Sequence, residues 1–460
     1  MFLHVHRVAA VSVTWDEGGD LSIVECIQKR GPYACLDDIS QTRLPYLIHS
    51  LSAYPWENRA RPHYDISFAF SAMTLLMVYA FARAAYGNAI ATLAAALYAT
   101  SIPLLTAGRM LLSHGSVIFV FFTTASLIAM LLFARGGSRA WIALSAIASG
   151  AAAASSPLAL FNGLALVATY VAARRFAWRD LAFFPLAAAT FFATSVIYVR
   201  PENFVALARA CTIPNVFPYW NYLDTGSNHA PWWYPPLLLA VKSGPWWLLL
   251  GAACAFRARL DRFLLAFLAA FGVNLLLKGA VFGYETPHHQ VQWYPLLLVT
   301  IAVAIVRAWS RVTMVAVAAC FVIQIADVVR FFPHYLFDGS QYGERFIGEF
   351  YGPAVLHGQG KEPITRALDH ILINEPDALI LVADHNLLER DREPRVVPFS
   401  KRDPGATYKY ALVDRLYGTH YRHFKERDAY NALLAREYEP HYTQYFPPKV
   451  WVFRIMRRRY

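Results

Sequence analysis

Charge is scarce in this chain, and negative charge scarcer still. Charged residues make up 16% of 460, with 31 Asp and Glu against 42 Lys and Arg. With 57% hydrophobic residues and a mean hydropathy of +0.33, there is more apolar surface than a soluble core of this size can hide. That excludes an ordinary soluble domain and puts the body of the protein in a bilayer. Also missing are an internal repeat, a low-complexity tract beyond Ala-rich helices, and a secretory signal, since the stretch from Met1 to Trp15 has neither the length of a span nor the shape of a leader.

What is present is a series of about ten apolar runs, each near the length that crosses a hydrocarbon core. They read at 65–86, 88–107, 112–134, 140–156, 157–175, 180–199, 233–256, 261–280, 293–309 and 312–331. The pair at 140–175 is separated only by Ser155, Ser156 and Pro157, so it could also be one kinked hairpin.

The turns between runs are asymmetric. One side carries Arg83, Arg135, Arg139, Arg174, Arg175, Arg179, Arg257, Arg259, Arg262, Arg307 and Arg311; the short loops opposite carry only Arg109, Arg200, Arg209 and Lys278. The positive-inside bias puts the arginine-rich turns in the cytoplasm and residues 1–64, 200–232, 281–292 and the tail outside. Most of the +11 net charge is this topology signal, so nucleic acid is a poor explanation of the high pI. Because residues 1–64 fall outside with no span before them, the pattern favours an upstream helix missing from this version of the chain over translocation of a short N-terminus by the first span.

Three regions follow: a first external loop at 1–64, a helical membrane domain at 65–331 and a domain at 332–460. In the loop, Leu21 to Lys29 reads as a short helix and Pro45 to Pro55 as an aromatic segment lying on the membrane surface. The run from Pro231 to Pro236 has the Trp-Tyr composition of an interface belt. In the tail, Ile364 to Ile373 has helical spacing; Asp377 to Val382, Tyr408 to Val413 and Val450 to Ile455 read as strands, with a helix over Asp428 to Tyr438. The fold class is therefore an α-helical polytopic membrane protein with a small C-terminal extracytoplasmic α/β domain.

Chemistry concentrates in the external turns. Asp16 and Glu17 stand between Trp15 and the pair Gly18-Gly19, a turn that can bring a carboxylate close to a substrate and let it take a proton from a hydroxyl. An arbitrary acidic pair in a loop is more often simply solvated; here it has cationic company on the same side. Gly108-Arg109-Met110 and Ser113-His114-Gly115 fall at the outer end of two spans, and Lys278, His288 and His289 near another. Arg offers a phosphate a forked contact and Lys a point charge, although snorkelling to headgroups explains Arg109 and Lys278 equally well. No acid-rich ligand set surrounds His288 and His289, so no metal site is read there and no cofactor is indicated.

An acidic pair in the first external loop, then Arg43-Leu44-Pro45 before the next span, Tyr86-Gly87-Asn88 at an arginine-side turn, Gly108-Arg109 with Ser113-His114, and the run from Phe332 to Phe337 come in an order that resembles the C-type (GT-C) membrane glycosyltransferases. The likeness is to the branch of protein O-mannosyltransferases and aminoarabinose transferases. It extends over nearly the whole chain, with each motif short and the weight carried by order and sidedness. It implies an inverting transfer from a polyprenyl-phosphate sugar to a protein, lipid or glycan acceptor at the outer face of a membrane, as in a bacterial inner membrane. Asp16 then matches the general base with Glu17 beside it, and Arg43, Arg109, His114, Lys278, His288 and His289 match substrate-binding positions. Two departures are visible: the family's helix before the acidic loop is missing, and many relatives carry Asp where Ser113-His114 stands.

Of five cysteines only Cys26 and Cys35 share an external loop, where a disulfide is chemically allowed, with Cys211 the alternative partner; Cys254 and Cys320 read as packing residues. The competing class is a lipid or solute transporter, which should carry charge within its spans and related halves. Asp327 and Lys242 are the nearest to mid-span charges, and no similarity between halves is visible.

Overall fold

The computed structural model describes residues 24, 26–31, 44–51, 61–107, 117–175, 177–195, 236, 239–240, 243–277, 291–331, 368, 370–382, 394–414, 427–446 and 450–459. Their helical part comprises α1 (Leu44–Ser50), α2 (Arg61–Tyr86), α3 (Asn88–Thr100), α4 (Ile102–Ala107), α5 (Val117–Ala134), α6 (Ala140–Ser155), α7 (Asn162–Ala173), α8 (Phe183–Ser195), α9 (Pro245–Arg257), α10 (Arg262–Leu277), α11 (Tyr294–Arg307) and α12 (Arg311–Phe331). By length and composition Ile66–Tyr86, Val117–Ala134 and Arg311–Val329 can each cross a membrane, and five further apolar helices run to 10–17 residues.

Punctuation along the chain follows backbone chemistry. Pro103 has no N–H to give to the carbonyl of Ala99, so the run expected at 88–107 is two helices parted at Ser101, whose backbone is extended (ψ 114°). Ser156, before Pro157, is driven to φ −160°, ψ 139°, and its hydroxyl caps the following 3-10 turn by accepting from the Leu158 amide at 3.3 Å. The run at 140–175 is thus two helices, α6 and α7, which both pack on α5. Gly87 turns the chain between α2 and α3 with φ 97°, a conformation that carries little strain only for glycine.

Burial sorts the helices. From Tyr294 to Ile305 every residue of α11 is buried, and 78% of α5 is, the mark of helices surrounded by protein. Helices α2 and α12 bury only 33% of their apolar windows and expose Leu76, Val322 and Val329, the lipid-facing pattern. In a bilayer apolar contact with a neighbour gains little over contact with lipid, so small polar side chains and close packing hold helices together. Ser126 and Ser145 each donate to the other's carbonyl at 2.9 Å, joining α5 to α6, and Asn162 Nδ2 donates to Thr123 Oγ1 at 2.9 Å, joining α7 to α5. At Gly150 the backbone of α8 comes so close to α6 that any Cβ would collide with the Ala187 carbonyl oxygen.

One expectation is corrected. The segment from Pro45, read as lying on the membrane surface, opens as a helix with Tyr46 and His49 buried (2% and 0% exposed) and packs on α6.

Beyond the bundle lie β1 (Ile380–Val382), β2 (Val396–Pro398), β3 (Tyr410–Asp414), α13 (Arg427–Glu437), β4 (Tyr438–Phe446) and β5 (Val450–Arg458). They form one sheet in the order β2-β1-β3-β5-β4, parallel across β2, β1 and β3 and antiparallel across β3, β5 and β4. All of β1 is buried, and its side chains alternate between two cores. Ile380 and Val382 pack with Ile371 and Leu372 on one face, and Leu381 with Tyr430 and Leu434 of α13 on the other. Strands β2 and β4 were not expected: one is three residues long, and the other, rich in Tyr and polar residues, lacks an apolar run.

Candidate functional site at one end of the bundle

The two ends of the bundle differ in chemistry. At the arginine end Asp261 ties three segments together. Its Oδ1 accepts from the Phe263 and Leu264 amides at 3.1 and 3.0 Å, capping α10; its Oδ2 accepts from Arg135 at 2.5 Å and from the Tyr86 hydroxyl at 3.0 Å. The Arg135 guanidinium lies 4.3 Å from the centre of the Tyr86 ring and also donates to the Ala85 carbonyl at 3.3 Å. Elsewhere, Asp180 accepts from Arg139 at 3.2 Å, the Tyr170 hydroxyl at 2.9 Å and the Ala177 amide at 3.1 Å. Neither aspartate was singled out from the sequence; Tyr86 was, as part of a motif.

Helix direction assigns the opposite end. Since Tyr86, Arg135, Arg262 and Arg307 mark the arginine end, Thr100, Val117, Leu277 and Tyr294 mark the other. A narrow recess of about 10 Å³ opens there between α3, α9, α11 and α12, lined on its polar side by Ser101, Ser243, Tyr294 and Gln324. The Ser243 hydroxyl donates to the Tyr294 hydroxyl at 2.6 Å. Gln324 Nε2 donates at 2.8 Å to the Thr100 carbonyl, one of the acceptors that the end of α3 leaves over. Gly244 (φ 76°) lets the chain pass Gln324 closely, since a Cβ there would stand 3.0 Å from Oε1.

Several unmade hydrogen bonds lie at this same end, while the arginine end has one among the described residues, at Arg135 Nε. Gln292, 1% exposed, has no partner for its amide oxygen or nitrogen among the described residues, and neither has the indole N–H of Trp293 beside it. The Trp293 ring is held by Phe267 and Phe271 at 5.7 Å each. A buried amide left unpaired costs roughly 1–3 kcal/mol, a cost that marks places where something besides the fold is served. Asp327, one turn beyond Gln324 on α12, is a carboxylate only 2% exposed. The described groups here are neutral donors and acceptors plus that one acid; they can orient hydroxyls, and they carry no cation to balance a phosphate.

All eight residues singled out from the sequence, Asp16, Glu17, Arg43, Arg109, His114, Lys278, His288 and His289, lie outside the described residues. The described residues that flank them in sequence are informative: Ala107 and Val117 bracket Arg109 and His114, while Leu277 and Val291 bracket Lys278, His288 and His289. All four belong to the recess end. Among the described residues no three His, Cys, Asp or Glu side chains group as metal ligands would. Cys26 is disulfide-bonded, while Cys254 and Cys320 are free; the candidate partners named from the sequence, Cys35 and Cys211, lie outside the described residues.

No protein-family model and no curated protein matches the chain. Among solved structures it is similar to ArnT from Cupriavidus metallidurans in the apo state, with a TM-score of 0.57 and 16% identity over 97% of this chain and 93% of that one. It is equally similar to the same protein bound to undecaprenyl phosphate, at 0.57 and 15% identity over 98% and 96%. At such identity the likeness shows the fold alone: the chain shares the fold of these structures.

Proposed function

We propose that this protein is a membrane glycosyltransferase that moves a sugar from a polyprenyl-phosphate carrier to an acceptor hydroxyl at the recess end of the bundle. The observation that carries this reading is the likeness over nearly the whole chain to a structure holding undecaprenyl phosphate. Supporting it are the helix ends flanking the cationic motifs, which share one end, and the Cys26 disulfide, which suits an oxidising compartment outside the cytoplasm.

In this mechanism the acceptor oxygen attacks the anomeric carbon from the face opposite the phosphate. The new C–O bond forms as the old one to phosphate breaks, inverting the centre, and polyprenyl phosphate leaves with the bonding pair. The Asp16 carboxylate takes the acceptor's proton, with Glu17 beside it. Negative charge grows on the departing phosphate, where Arg109, Lys278 and His288 or His289 stabilise it; Arg43 and His114 orient the donor. The polyprenyl chain lies against the spans, in line with a body built for lipid.

The test is sugar transfer in membranes supplied with a panel of radiolabelled polyprenyl-phosphate sugars. The chain should consume one donor, and Asp16→Asn should lower the rate by about 100-fold or more while the protein level holds, the scale of losing a general base. A full rate in Asp16→Asn removes that residue's role; no donor consumed at all removes the enzyme.

A further inference from the structure

The arginine end carries more positive charge than the fold uses. Asp261 is saturated by Arg135, the Tyr86 hydroxyl and two backbone amides, so it has nothing left for its neighbours. Around it Arg83, Arg257, Arg259, Arg262, Arg307 and Arg311 are all exposed, and among the described residues none of the six has a carboxylate partner. Arg307 does donate to the Arg259 carbonyl at 2.6 Å, and Arg262 lies 4.9 Å from the Phe263 ring centre, contacts that leave both charges unbalanced.

An independent observation fixes their depth. Trp309, 53% exposed, lies between Arg307 and Arg311 in sequence, and Trp178, 79% exposed, stands beside Arg179. Exposed Trp at the ends of membrane helices settles at headgroup level. The apolar surface runs right up to this plane: Phe256 (93% exposed) adjoins Arg257 and Val312 (77%) adjoins Arg311. The guanidiniums therefore lie where lipid phosphates are and acyl chains end. A guanidinium suits a phosphate by its two-pronged geometry, and several of them without acids favour a lipid with net negative charge over a zwitterionic one.

We infer that the six unbalanced arginines around the Asp261 knot form a binding surface for anionic phospholipid headgroups of the leaflet at that end. This surface is at the far end from the proposed transfer site and does not rest on that reading. Arg135 takes no part, since Asp261 and Tyr86 hold it inward.

The experiment is native mass spectrometry of the full-length protein equilibrated in detergent with equal phosphatidylglycerol and phosphatidylcholine. The wild-type chain should retain phosphatidylglycerol preferentially, and less so as salt rises. In Arg257→Gln/Arg259→Gln/Arg311→Gln the preference should fall by about fivefold per arginine removed. If the triple variant fails to fold, Arg259→Gln alone should show about a fivefold loss. Equal retention of the two lipids by the wild type overturns the inference, and so does a stabilising effect of inorganic phosphate, without lipid, as large as that of phosphatidylglycerol, which would mark a free-anion site.

Discussion

One end of the bundle spends its acids on structure, and the other leaves more hydrogen bonds unmade among the described residues, although Arg135 Nε at the first end is unpaired too. At the arginine end both oxygens of Asp261 are engaged, and a single side chain joins a helix cap, a guanidinium and a phenol. At the recess end Gln292 is buried with neither polar atom paired among the described residues, and Asp327 is a carboxylate among apolar spans. The lesson is that stability is concentrated where the chain turns on the arginine side, while the opposite end carries costs that a ligand-free fold has no reason to accept.

Several changes would break or sharpen that contrast. Asp261→Ala should be the most damaging, because it removes a helix cap and strands Arg135 together; with the pair about a quarter exposed, a loss of about 2–3 kcal/mol is expected, read as a lower Tm in detergent. Gly150→Ala should cost about 1–3 kcal/mol by forcing α6 and α8 apart, on the same readout. Gln292→Leu should go the other way, raising Tm because an unpaired buried amide disappears, while transfer activity falls if the amide serves substrate. A lower Tm for Gln292→Leu would show that its hydrogen bonds are made after all and would dissolve the contrast.

The smallest effects belong to the sheet domain and are read by pH. Its hydrogen bonds with Lys409 and Tyr410 hold the Glu375 carboxyl below its ordinary range. The folded state therefore gains from ionised Glu375 at pH values above the ordinary carboxylate range, and loses that gain as pH falls through the lowered value; Glu375→Gln should flatten this acid limb. At the other extreme, burial pushes the Tyr438 phenol up to about 12, so its contribution is complete below its ordinary value near 10 and lost as pH rises through about 12. Absorbance of tyrosinate during an alkaline titration, compared with Tyr438→Phe, checks it.

How far the sequence could be read differed by region. Helices stand at the apolar runs, and the Ser-Ser-Pro break at 155–157 parts two of them, because a missing N–H and a clash ahead of proline act within a few residues. Strands β1, β3 and β5 were visible as apolar or alternating runs. Strand β4 was not, since it reads as polar and its pairing comes from β5, placed only when the sheet assembles. The same limit applies to Tyr46 and His49, whose aromatic segment looked superficial until α6 supplied a surface to bury it. The candidate acids and cations of the proposed site were named from their types and sides alone, and they lie outside the described residues. The recess of Ser243, Tyr294 and Gln324 was not, because its members lie on separate helices and none carries charge.

By itself the sequence determined that the protein belongs in a membrane, where its helices run, which turns carry the arginines and which loops carry acid. All of these are properties of short stretches, set by transfer energies and backbone sterics that need no partner. Only the tertiary structure decided which arginine is held inward and which stay unbalanced among the described residues, that Asp261 joins distant turns, and that Gln292 is buried with no partner among those residues. Those outcomes depend on residues up to 175 positions apart meeting across packed helices, as Tyr86 and Asp261 do, and no local pattern encodes which of many similar side chains will meet.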